Sequence, residues 1–290
     1  MPEPMSIPSL KTIFKFPFQG EGWGKRFLIG TVLTFLNFVI PIIPAVFISG
    51  YMLEVMRRTI QGEDLVLPDW TDWGKLGVDG LKYILVSLVF LLPGSLVYVV
   101  GFGLYFFATF GLSLASGVSQ NSQGVQAIFV PVFLLAMLVF VVSMFAGPLL
   151  FFLGAIPLPV AAANMAVEGR LAAGFSLGQW WPALWKNKLG YFITWTILFG
   201  LFFTFYLVIF TAYITCILCW LIPFLMGPLG FYLAMVYAAL FGQTFRESMQ
   251  GQADLHPAEP ATPAAPVEVV PPSEPAQPED SAGTVEVSQP

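Results

Sequence analysis

The chain has 290 residues, of which 57% are hydrophobic and only 10% are charged, so it is far more apolar than a soluble globular protein. Its formal net charge of −5 comes from the last forty or so residues, and the remainder is too weakly basic to bind along nucleic acid. Residues 27–53, 83–167 and 189–245 contain no Asp, Glu, Lys or Arg, which excludes a water-soluble fold, a disordered protein and a disulfide scaffold and predicts an all-α integral membrane protein.

Residues 1–26 precede the first apolar segment. They carry four basic side chains among aromatic ones, a mixture typical of a segment lying on the lipid headgroups. Apolar character begins only at Phe27 and continues without a small-residue cleavage site, so we do not expect a cleavable signal peptide.

The membrane domain is predicted to cover residues 27–247. As one helix, the segment 83–167 would be about 130 Å long, so it must cross the membrane at least twice, with a polar loop expected at Gly111–Gln126. The segment 189–245 is also expected to cross twice, with its connection around Cys216–Pro228. The segment 27–53 fits either one crossing or a short re-entrant hairpin with its turn at Pro41–Pro44.

The distribution of Lys and Arg helps to decide between one crossing and a re-entrant hairpin for residues 27–53. All twelve lie in residues 1–26, in the two Trp-rich stretches Glu54–Lys82 and Glu168–Lys188, or at Arg246. If basic segments face the cytoplasm, every apolar segment must return to the side where it began. That gives six membrane segments in three hairpins, whereas a single crossing by the first segment gives five.

An internal repeat favours the six-segment interpretation. Four residues recur about 107 residues later, which indicates duplicated structural units. In each unit the second helix is expected to open near a proline, namely Pro41, Pro148 and Pro223. The recurring residues are Pro41, Gly62, Trp73 and Tyr83, matched by Pro148, Gly169, Trp181 and Tyr191.

Residues 248–290 form a separate tail. Within it, residues 251–290 contain seven acidic side chains, nine prolines and no Lys or Arg, a composition that predicts disorder. We expect the tail to lie in the cytoplasm, where a protein partner could bind it.

Several motifs together resemble a known family. They are Pro17-Phe18, Trp23-Gly24-Lys25, Gly50-Tyr51, Leu67-Pro68-Asp69-Trp70-Thr71-Asp72-Trp73-Gly74 and Asp79-Gly80-Leu81-Lys82. They resemble the prokaryotic multi-pass membrane family known as domain of unknown function 4013, over roughly Phe14 to Glu247. The resemblance implies an integral membrane protein and brings no catalytic or cofactor-binding residue with it.

The Trp-rich stretch 67–73 is the first candidate site. Asp69 and Asp72 alternate with Trp70 and Trp73, which suits a cytoplasmic docking surface or a weak cation site. The alternative is a boundary turn in which Asp69 or Thr71 caps a helix and the indoles lie among the headgroups. Two carboxylates without a third ligand make a poor metal site.

Charged and aromatic residues near the other segment ends are further candidates. Arg57 and Arg58 follow Glu54 at helical ion-pair spacing, so they form either a gate or headgroup clamp, or side chains that simply extend into water. Trp181 is expected at the membrane surface of the second Trp-rich stretch.

The sequence contains few residues suited to catalysis or metal binding. The single histidine, His256, lies in the predicted disordered tail, and Cys216 and Cys219 lack further metal ligands nearby. We therefore expect no catalytic, cofactor or metal site. Small residues at four-residue spacing, Ala234, Ala238 and Gly242 in one set and Ala162 and Ala166 in another, indicate close helix packing within the protein or between protomers.

The sequence therefore predicts a non-enzymatic multi-pass protein of the cell membrane, a scaffold or a lipid/protein interaction module. Its expected partners are the lipid bilayer, other membrane proteins and, through the tail, a cytoplasmic protein. The alternatives are a transporter or channel subunit for a neutral or apolar solute and, less favoured, an enzyme that acts on lipid headgroups through Asp69, Asp72 or Asp79.

Overall fold

The structure is a computed structural model that describes residues 7–118, 123–214 and 222–253. Within these ranges the chain forms helices and no strand. Two short 3₁₀ helices, Phe16–Phe18 and Leu171–Phe175, join α1 to α2 and α6 to α7. The α-helices are α1 (Ile7–Lys15), α2 (Trp23–Leu36), α3 (Ile42–Gln61), α4 (Trp73–Val118), α5 (Gln123–Ala155), α6 (Leu158–Glu168), α7 (Leu177–Lys186), α8 (Lys188–Ile214) and α9 (Ile222–Ala253).

Four helical segments of the described chain are long and apolar enough to cross a membrane. They are Trp73–Leu114, Val130–Glu168, Lys188–Ile214 and Ile222–Gln250. Only 11–17% of the most apolar stretch of each of the first three is buried, whereas half of that stretch is buried in the fourth. The expectation of an all-α chain with several membrane-capable helices is therefore confirmed.

Helices α2 and α3 form a hairpin. With 14 residues, α2 is about 21 Å long, which is less than the roughly 30 Å hydrocarbon core. Arg26, near the start of α2, contacts the segment that follows α3: its Nε lies 2.6 Å from Asp69 Oδ1, and its carbonyl accepts a hydrogen bond from Trp70 Nε1. The segment that follows α3 therefore lies beside the start of α2.

The turn of this hairpin differs from the expected one. It covers residues 37–41, and Pro44 already lies in the first turn of α3. Proline fits this position because the first turn of a helix leaves its N–H groups without intrahelical partners.

Helices α4 and α5 pair closely through glycine. A Cβ added at Gly94 would lie 2.3 Å from the backbone nitrogen of Phe151, and one added at Gly154 would lie 2.0 Å from the Phe90 carbonyl oxygen. No larger side chain fits between the two backbones at these points, a form of packing common among membrane helices.

Two expectations about α4 and α5 are wrong. The predicted loop at Gly111–Gln126 is mostly helical, because α4 continues to Val118 and α5 starts at Gln123. Ser113 shows why polarity does not end the helix: its hydroxyl donates to the Thr109 carbonyl one turn earlier. Pro148 lies inside α5 and does not open it.

Helices α3, α6 and α9 meet in the best-buried part of the molecule. A Cβ on Gly242 of α9 would lie 3.0 Å from the Met56 carbonyl oxygen of α3. The small residues predicted to mediate packing therefore pack within this chain. The alanines with at most 1% exposure in α6 and α9 are Ala161, Ala162, Ala163, Ala166, Ala238 and Ala239.

Two members of the predicted repeat have the same local structure. Gly62 ends α3 and Gly169 ends α6, with φ of 78° and 69°, the left-handed conformation that glycine adopts without steric cost. Trp73 and Trp181 differ, since one begins α4 and the other lies inside α7. The repeat as a whole stays a prediction.

The N-terminal end of the described chain packs on the bundle. Ile13 and Phe16 are fully buried, and the Tyr232 hydroxyl donates to the Phe14 carbonyl, so the N-terminal segment contacts α9. At the other end α9 extends to Ala253, past the predicted domain boundary at 247.

Some predictions concern residues that the structure does not describe. They are Cys216, Cys219 and the tail beyond residue 253. The connection expected around Cys216–Pro228 falls only partly among them, because α9 already begins at Ile222.

Candidate functional site

Arg57 connects three helices. Its guanidinium donates to Glu54 on α3 and, at 2.9 Å, to Asp79 Oδ2 on α4. Its Nε donates to the Ala166 carbonyl at the end of α6 over 2.7 Å. The three charged side chains are only 10–15% exposed, so most of each lies away from water.

Further charges extend this cluster. Glu54 also accepts from Arg58 Nε at 3.3 Å and from Lys75 Nζ at 2.9 Å. Lys82 Nζ donates to Asp79 Oδ1 at 3.0 Å and to the Gly169 carbonyl at 2.8 Å. We call these six side chains, Glu54, Arg57, Arg58, Lys75, Asp79 and Lys82, the Arg57 network.

The network keeps Glu54 ionised. Burial alone would raise the pKa of Glu54, but the hydrogen bond from Lys75 and the charges of Arg57 and Lys75 outweigh it and hold the pKa below its ordinary value. Two mostly buried carboxylates, Glu54 and Asp79, are thus balanced by basic groups at hydrogen-bonding distance. Asp79 could not be assigned to this cluster from the sequence, because its spacing from Arg57 fits no local pattern.

Trp70 is an internal residue. It is 8% exposed and stacks on Tyr51 with ring centres 4.0 Å apart and planes within 9°. The Tyr51 hydroxyl donates to the Pro68 carbonyl at 2.7 Å. The segment Leu67–Trp70 therefore packs on the α2/α3 hairpin, and the prediction of Trp70 as part of a docking surface is wrong.

The two carboxylates beside Trp70 have separate partners. Asp69 pairs with Arg26, whose hydrogen bond lowers the pKa of this exposed carboxyl. Asp72 Oδ1 accepts the backbone N–H of Lys75 at 2.9 Å and so caps α4, a role expected for Asp69 or Thr71. Among the described residues, no group of three or more His, Cys, Asp or Glu could hold a metal ion.

The exposed indoles lie on two different helices. Trp73 is 40% exposed and contacts Phe47 edge-on. Trp181, on α7, is 47% exposed, whereas its neighbour Trp180 is fully buried and donates to the Gly174 carbonyl. Sequence analysis missed Trp180, and only the helical phase of α7 distinguishes the two.

Helix α7 has an exposed apolar face beside the buried Trp180. Leu177, Trp181 and Trp185 follow each other at four-residue intervals and are 47–59% exposed. We call them the α7 stripe. Apolar side chains aligned on the outside of a short helix that ends in Lys186 are typical of a helix lying on a membrane surface.

An apolar groove lies beside the α7 stripe. It encloses about 370 Å³ between the end of α5, the end of α7 and the first turns of α8. We call it the α7 groove. Its lining includes Phe152, Ile156, Leu184, Trp185, Lys188 and Trp195.

We expect Glu54→Gln to lower the free energy of unfolding by about 1.5–3 kcal/mol at pH 7, because three cationic groups lose their charged acceptor. The matched control is Glu63→Gln, since the Glu63 carboxylate is half exposed and 3.8 Å from Arg58. Denaturant titration in detergent micelles measures both.

The pH dependence of the Glu54→Gln effect follows from the lowered pKa of Glu54. The stabilisation is complete above the unfolded-state pKa, near 4.5, and is lost as pH falls through the lower folded-state pKa. The difference between wild type and Glu54→Gln should therefore shrink in acid. A difference that is absent at pH 7, or that grows in acid, would contradict this assignment.

Comparison with protein-family models agrees with the resemblance found in the sequence. No match is found among curated proteins or among solved structures. The family described as "Protein of unknown function (DUF4013)" matches residues 33–214, a range that contains the whole Arg57 network, the α7 stripe and the α7 groove. The chain belongs to this family.

Proposed function

We propose that the protein is a non-enzymatic membrane scaffold that contacts lipid through α7. The α7 stripe is the observation that carries this proposal. Its three apolar side chains are exposed, while the buried Trp180 anchors α7 through its hydrogen bond to the Gly174 carbonyl. Such a helix exposes apolar area where a bilayer can cover it.

The pattern of charge supports a scaffold over an ion-coupled transporter. The Arg57 network lies at the ends of α3 and α6 and the start of α4, and its members bond one another. The charge-free segments 83–167 and 189–245 contain none of the ionisable residues that proton and ion pathways use.

The topology we propose has six membrane segments in three hairpins, with α2/α3 as a short re-entrant one. The contacts of Arg26 with Asp69 and Trp70 support it, because they join the two ends of that hairpin. The Arg57 network and most basic residues then share one side, the cytoplasmic side of the cell membrane under the positive-inside rule. Other membrane proteins, and a cytoplasmic protein bound to the tail, are the partners we propose besides lipid.

Labelling on either side of the α2/α3 hairpin tests this topology. We expect Gln19→Cys and Thr71→Cys, both at exposed positions, to react with a membrane-impermeant maleimide from the same side of sealed vesicles. Cys216 and Cys219 are replaced by Ser in both proteins. Reaction from opposite sides would mean one crossing by residues 27–53.

Fluorescence quenching tests the lipid contact. In vesicles of lipids brominated along the acyl chain, Trp181→Phe and Trp185→Phe should each lower the quenched fraction of tryptophan emission. Trp70→Phe is the matched control, because it removes a buried indole and should leave that fraction equal or higher.

Two results would count against the scaffold. An unchanged quenched fraction in both α7 variants would show that the α7 stripe does not contact acyl chains. Efflux of a neutral solute from vesicles containing the protein, above that of empty vesicles, would favour the transporter alternative.

A further inference from the structure

We infer that the α7 groove binds one anionic phospholipid, with an acyl chain in the groove and the phosphate at Lys188. This inference rests on the proposed lipid-contacting function and deepens it. A general contact through the α7 stripe needs no particular headgroup, whereas the α7 groove combines an apolar wall with a fixed positive charge.

The wall of the α7 groove suits a hydrocarbon chain. Aromatic rings from α5, α7 and α8 form it. The Phe152 ring lies 6.1 Å from Trp195 and 5.7 Å from Phe199 between ring centres. Nearly all the surface lining the groove is apolar. Trp185 belongs to both the α7 groove and the α7 stripe, so a lipid can enter from the bilayer that the stripe contacts.

The charge at the rim has no ion-pair partner in the described part of the chain. Within that part, the lysines that form ion pairs are Lys75 and Lys82, both in the Arg57 network. Lys186 and Lys188 are exposed at the α7–α8 junction and form no ion pair with any carboxylate in the described ranges. A lipid phosphate is the anion available at that depth of a bilayer.

The junction that presents Lys188 is fixed to the rest of the protein. Asn187 Nδ2 donates to the Thr244 carbonyl of α9 at 3.3 Å, and Asn187 Oδ1 accepts the Gly190 N–H at 3.1 Å. The start of α8 is thereby tied to α9. The positive charge and the apolar wall thus keep their relative positions without a ligand, which lowers the cost of binding.

Competition between two lipids tests the inference. The full-length protein in detergent is incubated with equal amounts of phosphatidylglycerol and phosphatidylcholine that have identical acyl chains, and native mass spectrometry counts the retained lipids. We expect one phosphatidylglycerol to be retained in preference. Lys188→Gln should lower the ratio of phosphatidylglycerol to phosphatidylcholine about fivefold.

Two further variants separate the charge from the apolar wall. Phe199→Ala removes an exposed ring from the wall of the α7 groove, so it should reduce retention of both lipids and leave their ratio unchanged. Lys25→Gln removes another exposed lysine outside the groove and should change neither quantity.

Equal retention of the two lipids by the wild-type protein, or an unchanged ratio in Lys188→Gln, would overturn the site. If Lys25→Gln lowered the ratio of phosphatidylglycerol to phosphatidylcholine as much as Lys188→Gln does, the effect would be one of general charge. That result would also overturn the site. These outcomes are distinct from failure of the scaffold proposal, because bromine quenching of Trp181 depends on the α7 stripe and not on which headgroup is retained.

Discussion

The hydrogen bonds of Arg57 are the connection on which the arrangement of α3, α4 and α6 depends. One guanidinium reaches a carboxylate on α3, a carboxylate on α4 and a backbone carbonyl at the end of α6. Each of these charges would be costly if it were mostly buried alone, and together they satisfy one another. The charge pairing therefore joins the first two hairpins at a place where α3 and α4 also pack closely, since a Cβ added at Gly50 would lie 1.9 Å from the Leu76 carbonyl oxygen.

The positions of the α7 stripe and the α7 groove depend indirectly on the Arg57 network. Lys82 bonds both Asp79 and the Gly169 carbonyl, and Gly169 leads into the 3₁₀ helix Leu171–Phe175. That segment supplies the Gly174 carbonyl to which Trp180 donates, so α7 takes its position from the same cluster. The exposed hairpin α4/α5 and helix α8 extend away from this cluster. The α7 groove forms between the end of α5, α7 and the start of α8.

Part of this could be predicted from the sequence, because some signals are local. Long charge-free segments indicated membrane helices, and the spacing of Glu54 and Arg57 indicated their ion pair. Partners distant in the chain, such as Asp79 for Arg57, leave no local pattern. Neighbouring indoles also look alike in sequence, yet Trp180 is buried and Trp181 is exposed. The helix ends inside apolar segments were missed because a serine such as Ser113 bonds within its own helix.

The most direct measurement of the central claim is a double-mutant cycle between Arg57 and Asp79. The free energies of unfolding of Arg57→Gln, Asp79→Asn and the double variant are compared with wild type, and the exposed pair Arg26 and Asp69 provides the reference cycle. If Arg57 connects α3 and α4 as described, the coupling energy between Arg57 and Asp79 should be about 1–3 kcal/mol. It should lie clearly above that of the reference pair. Additivity of the two single effects to within about 0.5 kcal/mol would contradict it.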